Sequence, residues 1–129
     1  MELMIVVVII GIIAAFGIPN YQKSIQKAHE RDTVAQLTAL HAANLLYRSY
    51  DGAYWDTGGT DQNLAQINST LSINIIANAG TAYNYNSANG SAFTATATWA
   101  AYTLRVTQAP IGTTNPCCQS VNCSSVPDC

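Results

Sequence analysis

The sequence predicts an α+β chain. One N-terminal helix of about 50 residues packs its second half on a three- or four-stranded antiparallel sheet, and disulfides pin the C-terminal tail. Three observations predict this. Residues 3–18 are an unbroken run of apolar and small residues. A helical-period pattern follows and stops at Asp51-Gly52. After residue 80, segments alternate in the two-residue period of strands and lead into four cysteines, all within residues 117–129.

The chain has 129 residues, enough for one domain with a modest core. Charged residues are only 9% of it, against about a quarter in ordinary soluble domains. With a net charge of −2, its five basic residues make no nucleic-acid footprint, although Lys23, Lys27 and Arg31 fall close together.

The apolar run of residues 3–18 is 16 residues long, about 24 Å as a helix. That is slightly less than a ~30 Å hydrocarbon core, and continuing to Tyr21 permits a tilted or shallow span. A cleaved signal peptide needs basic residues ahead of the run and a small-residue cleavage site behind it; neither is present. A simple anchor meets a different conflict. Lys23 and Lys27 follow the run and favour a cytoplasmic downstream domain, whereas clustered cysteines call for an oxidising compartment. A basic leader, since removed, resolves the conflict. Glu2 precedes the run and Pro19 ends it. Pro19 cannot bond the Ala15 carbonyl, and Gly11 and Gly17 weaken the same stretch by roughly 1 kcal/mol each. The helix is therefore expected to kink or partly unwind between Gly11 and Pro19. Gly11 and Ala15 offer a small-xxx-small face for close helix contact.

Beyond Pro19, Val34, Leu37, His41 and Leu45, with Leu40, Ala43 or Asn44 and Tyr47, follow helical steps, while charges sit between them. Asp51-Gly52 supplies the stop. The division is residues 1–21, an apolar membrane or polymer-core segment, and residues 22–129, the amphipathic half-helix plus a head. A head this small cannot bury the apolar third.

This N-terminal segment, from Glu2-Leu-Met-Ile through Gly11, Gly17 and Pro19-Asn-Tyr21, resembles that of type IV pilins and their pseudopilin relatives. The likeness is close over about the first 25 residues and loose over the helix-then-sheet plan. The resemblance implies a structural, non-enzymatic subunit, with no cofactor, that polymerises with itself through the apolar helix. It implies a basic leader, removed by a membrane prepilin peptidase that methylates the new N-terminus, and a few residues more than Met1 ahead of Glu2. It implies inner-membrane lipid and a periplasmic head before assembly, a pilus assembly machinery, and an extracellular filament afterwards. The reading preferred from sequence is a major pilin, with adhesion, motility and DNA uptake undivided; the alternative is a pseudopilin of type II secretion. Glu2 maps onto the family glutamate that pairs with a neighbouring subunit's N-terminal amine. The physics agrees, because an unpaired carboxylate beside a dry helix bundle costs several kcal/mol. Twelve large apolar side chains between residues 3 and 18 are worth roughly 20–35 kcal/mol relative to water, above the ~4–15 kcal/mol cost of association. Relative to lipid the gain is much smaller, so extraction calls for an energy-driven machine.

In the head, Thr60 or Asp61 is placed to cap a short helix from Gln62 to Ile67. Strands are expected from Ala82 to Asn86, Phe93 to Trp99 and Tyr102 to Val106, the first two joined through Asn89-Gly90. Phe93, Ala95, Ala97 and Trp99 share one face. Vicinal Cys117 and Cys118 are disfavoured partners, which leaves 117–123 with 118–129 or 117–129 with 118–123. The absence of a C-x-x-C pair argues against a zinc site. The tail should cover a sheet edge.

No catalytic, cofactor or metal pattern is complete. His29-Glu30 begins H-E-x-x-H, but Thr33 stands in the second histidine's place. Asp51, Asp56 and Asp61 are a weak calcium pattern. Asn68-Ser-Thr and Asn89-Gly-Ser fit glycosylation sequons at Asn68 and Asn89.

Overall fold

A computed structural model describes residues 2–78, 80–100, 102–120 and 122–129, with positions 2, 16, 17 and 19 described by backbone alone. Helix α1 runs from Glu2 to Asp51, 50 residues. It stops where the sequence says it should: Gly52 turns into the left-handed region at φ 84° and its amide donates to the Arg48 carbonyl at 2.9 Å. The expected unwinding between Gly11 and Pro19 does not occur, and α1 stays helical throughout. Pro19 withdraws a single amide from the ladder. A helix with no polar neighbour has nothing else to satisfy further freed groups, so the rest of the ladder holds.

The rest of the chain gives β1 (Gln62–Asn63), α2 (Leu64–Thr70), β2 (Thr81–Asn86), β3 (Thr94–Trp99), β4 (Tyr102–Thr107) and β5 (Cys117–Cys118). They form a five-stranded antiparallel sheet in the order β1-β2-β3-β4-β5. The three long strands are the expected meander. The two extra ones are two residues each, too short to show alternation, which is why the sequence suggests three or four. Helix α2 starts later than expected. Asn63 accepts from the Gln66 amide while the Gln66 side chain accepts from the Asn63 amide, a capping box, and Asp61 instead accepts from Asn86 Nδ2 at 2.7 Å.

The core lies between the sheet and the second half of α1. Register places Tyr85, Ala95 and Val106 in one row and Tyr83, Ala97 and Leu104 in the next, all buried. The two alanines at the centre leave room for the helix, and the flanking tyrosines and aliphatics wall it in. On the opposite face Thr98 and Thr103 share a hydroxyl contact at 3.2 Å. The helix presents Glu30, Thr33, Leu37, Leu40, His41 and Asn44, a buried stripe at helical spacing. Leu45, expected in that stripe, is exposed, and Asn44 takes the inward place because Tyr85 Oη donates to its Oδ1 at 3.0 Å. Tyr85 Oη also lies 2.9 Å from the Trp55 carbonyl, and burial pushes its phenol pKa up. At the β2–β3 connection Gly90 has φ 67°, and a Cβ there would lie 2.9 Å from the Tyr54 carbonyl, so the Asn89-Gly90 signal marks a real close approach.

Candidate functional site

Two regions stand out. The first is the apolar third of α1. All eleven large apolar side chains described between residues 3 and 18 are between 51% and 82% exposed. No described residue of the chain covers them, and by length and composition the helix is apolar enough to cross a membrane. Gly11 has open space where a Cβ would stand and Ala15 is exposed, so their small-residue face is free for another helix. The expected roles of Glu2 and Pro19 depend on side chains that lie outside the described residues.

The second region is the C-terminal loop. Cys117 bonds Cys129 and Cys118 bonds Cys123, selecting one of the two pairings left open by sequence. Strand β5 extends the sheet at β4, with Leu104 opposite Cys118, so the tail covers that edge as expected. A further clasp comes from the helix. The buried Glu30 carboxylate accepts from the amides of Ser124 and Ser125, each at 2.8 Å, from both serine hydroxyls, and from Gln26 Nε2 at 2.9 Å. Gln26 Nε2 also donates to the Asn122 carbonyl at 2.8 Å. Burial alone raises a carboxyl pKa. The donors of Ser125, Ser124 and Gln26 outweigh it here and hold Glu30 below its ordinary 4.5. Sequence reading missed this clasp. The available signal was that Glu30 falls in step with Thr33, Leu37 and Leu40, on the face that packs.

The remaining candidates disperse. His29 stacks on Trp99, with ring centroids 4.7 Å apart, while Glu30 holds the tail, so the broken H-E-x-x-H pattern is structural. Among the described residues no three or more His, Cys, Asp and Glu side chains are placed to hold a metal ion. Asp56 accepts from the Gly58 amide and Asp61 from Asn86, each organising its own turn. Both ends of the Asn68 amide are engaged with the backbone of Ile75, at 2.9 and 3.0 Å. Asn89 is exposed in a turn, its Oδ1 accepting from the Ser91 amide.

An exposed apolar helix fused to a disulfide-closed head is the shape that the N-terminal motif leads one to expect. Comparison with known proteins agrees. The chain is 39% identical over 67 residues to the type II secretion system core protein G of Vibrio cholerae serotype O1, a match covering 52% of this chain and 44% of that protein. The chain is pilin-like. It thus spans less than half the length of the curated relative it matches. No family model and no solved structure matches it.

Proposed function

We propose that this pilin-like protein is a structural subunit, not an enzyme, of a helical polymer of the type II secretion pseudopilus kind. The single observation that supports the polymer is the exposed apolar third of α1, whose described side chains the head leaves uncovered. Likeness to a secretion core protein favours the pseudopilin reading over the major-pilin reading preferred from sequence. Before assembly, residues 3–18 lie in inner-membrane lipid with the head in the periplasm. On assembly the same side chains pass into a bundle of like helices. Gly11 and Ala15 allow close approach, and Glu2 sets register by pairing with a neighbour's N-terminal amine. A prepilin peptidase and an assembly machinery are the partners this route requires.

The second reading, a major pilin of an extracellular type IV pilus, draws support from the C-terminal double-disulfide loop and from the lack of a three-carboxylate cluster among the described residues. Deleting the gene separates the two readings. A pseudopilin loss blocks export of the cell's secreted proteins and leaves surface fibres intact. A major-pilin loss removes long fibres from sheared surface material and leaves export normal. If purified full-length protein stays monomeric in detergent and on its removal, both readings fall. Glu2→Ala should abolish polymer yield, and unchanged yield sinks the register role.

A further inference from the structure

Among the described residues, the charges of α1 that have no partner are separated along it by sign. Lys23, Lys27 and Arg31 recur at every fourth residue, so they follow one side of the helix; all three are exposed and none has a hydrogen-bond or ionic partner among the described residues. The acids near them are committed elsewhere. Glu30 is buried in its clasp, and Asp32, about 100° round α1 from Arg31, accepts from Gln36 and Asn78. Asp128 is exposed in the tail. At the opposite end of α1, Asp51 is exposed; Asp56 and Asp61, also exposed, each hold their own turn.

Apolar surface divides in the same way. Beside Arg31 a groove of about 720 Å³ opens between α1, the loop at 110–116 and the tail, lined chiefly by Val34, Ile111, Pro116, Val126 and Pro127. At the other end Leu46 and Tyr50, one turn apart and next to Asp51, protrude into solvent, Tyr50 with 85% of its surface exposed. A monomer leaves the groove unfilled and the tyrosine uncovered.

We propose that these two ends are the halves of one head-to-tail contact between copies of this chain: Tyr50 of one copy enters the groove of the next, and its Asp51 pairs with Arg31 at the rim. The inference rests on the polymer reading and adds the head contact to it. Two different surfaces meeting head to tail do not make a two-fold dimer, and with a shift along the helix axis they extend into an open filament. The spacing agrees with a shared apolar core. Positions 31 and 51 are 20 residues apart, about 30 Å of helix, whereas residues 3–18 occupy about 24 Å. Copies joined in this way set their apolar segments end to end without overlap, leaving the sides of each segment to other copies.

The test uses full-length protein polymerised in the cell and sheared or extracted as assemblies. Arg31→Asp and Asp51→Arg should each cut assembled material roughly tenfold through like-charge contact, and the double exchange should restore it. Circular dichroism of each variant checks that the head still folds. A second measurement is independent of both yield and fold. In assemblies of Arg31→Lys, a carbodiimide should couple position 31 of one copy to Asp51 of another, detected as a joined peptide by mass spectrometry. Within one copy the two positions are about 30 Å apart, beyond zero-length coupling. Single charge reversals that assemble as well as wild type, or a coupling experiment that finds no 31–51 peptide, overturn this contact and leave the polymer standing. Failure of the wild type to assemble overturns the polymer reading and the contact with it.

Discussion

Residues 3–18 and residues 30–44 belong to one helix, yet their side chains meet opposite conditions. In the first stretch every described large apolar side chain is exposed; in the second a buried stripe includes Glu30, Thr33, His41 and Asn44. The greasy part of the helix is uncovered and part of its polar complement is buried. Apolar surface gains by leaving water whatever covers it, so residues 3–18 can wait in lipid and later accept a protein neighbour. Buried polar groups need particular partners at particular distances, so residues 30–44 are tied to one head. The first stretch is generic and transferable, the second specific and fixed.

The largest effect should come from giving the transferable stretch a fixed preference. Val8→Lys costs about 2.5–3.5 kcal/mol at the centre of a membrane helix. It should abolish polymer recovery while leaving the thermal unfolding of the head unchanged; a parallel loss of head stability would break the division drawn here. Leu40→Ala is the opposite case. A fully buried leucine on the head side of α1 should cost about 2–5 kcal/mol in urea unfolding, with membrane insertion untouched. Replacing Cys117 and Cys129 together by serine opens a closure between residues 12 apart in sequence and should cost about 2–4 kcal/mol, read as a lower denaturation midpoint.

The smallest effect is the one with a sign in pH. The Glu30 carboxyl is held below its ordinary 4.5 in the folded head. Its stabilisation is therefore fully present above that value and is lost as pH falls through the lower, folded one. Glu30→Gln should cost about 1.5–3 kcal/mol at neutral pH, the usual worth of hydrogen bonds to a charged group. It should also flatten the decline of stability below about pH 4.5. A mutant with the same acid limb as wild type would show that other carboxyls carry it.

What could be read from the sequence follows from periodicity. The end of α1 at Asp51-Gly52, the three long strands and the Asn89-Gly90 connection announce themselves through local chemistry; the approach of Gly90 to the Tyr54 carbonyl does not. The two-residue strands β1 and β5 do not, because two residues hold no period. Nor does sequence tell Leu45 from Asn44 as the inward residue: adjacent positions on a helix differ by 100°, and the decision belongs to Tyr85, 41 residues away. Glu30 was legible only as a charge. Its donors at Ser124 and Ser125 come from the far end of the chain, and the fold brings them together. For the apolar segment the limit is different. Its composition says that it will be covered; in the proposed polymer that cover is other copies of the chain, which a single sequence does not display.

In the proposed polymer, where α1 is a single unbroken rod, any pull along the core would travel through it without a joint. The force arrives at the stripe from Glu30 to Asn44 and loads it in shear across the sheet. Sideways sliding of a helix strains many side-chain contacts together, whereas peeling opens them one after another. The tail, closed by two disulfides and gripped by Glu30, rides on the same length of rod and adds crosslinks where the load enters the head. Such a subunit behaves as a piston rod keyed into its block.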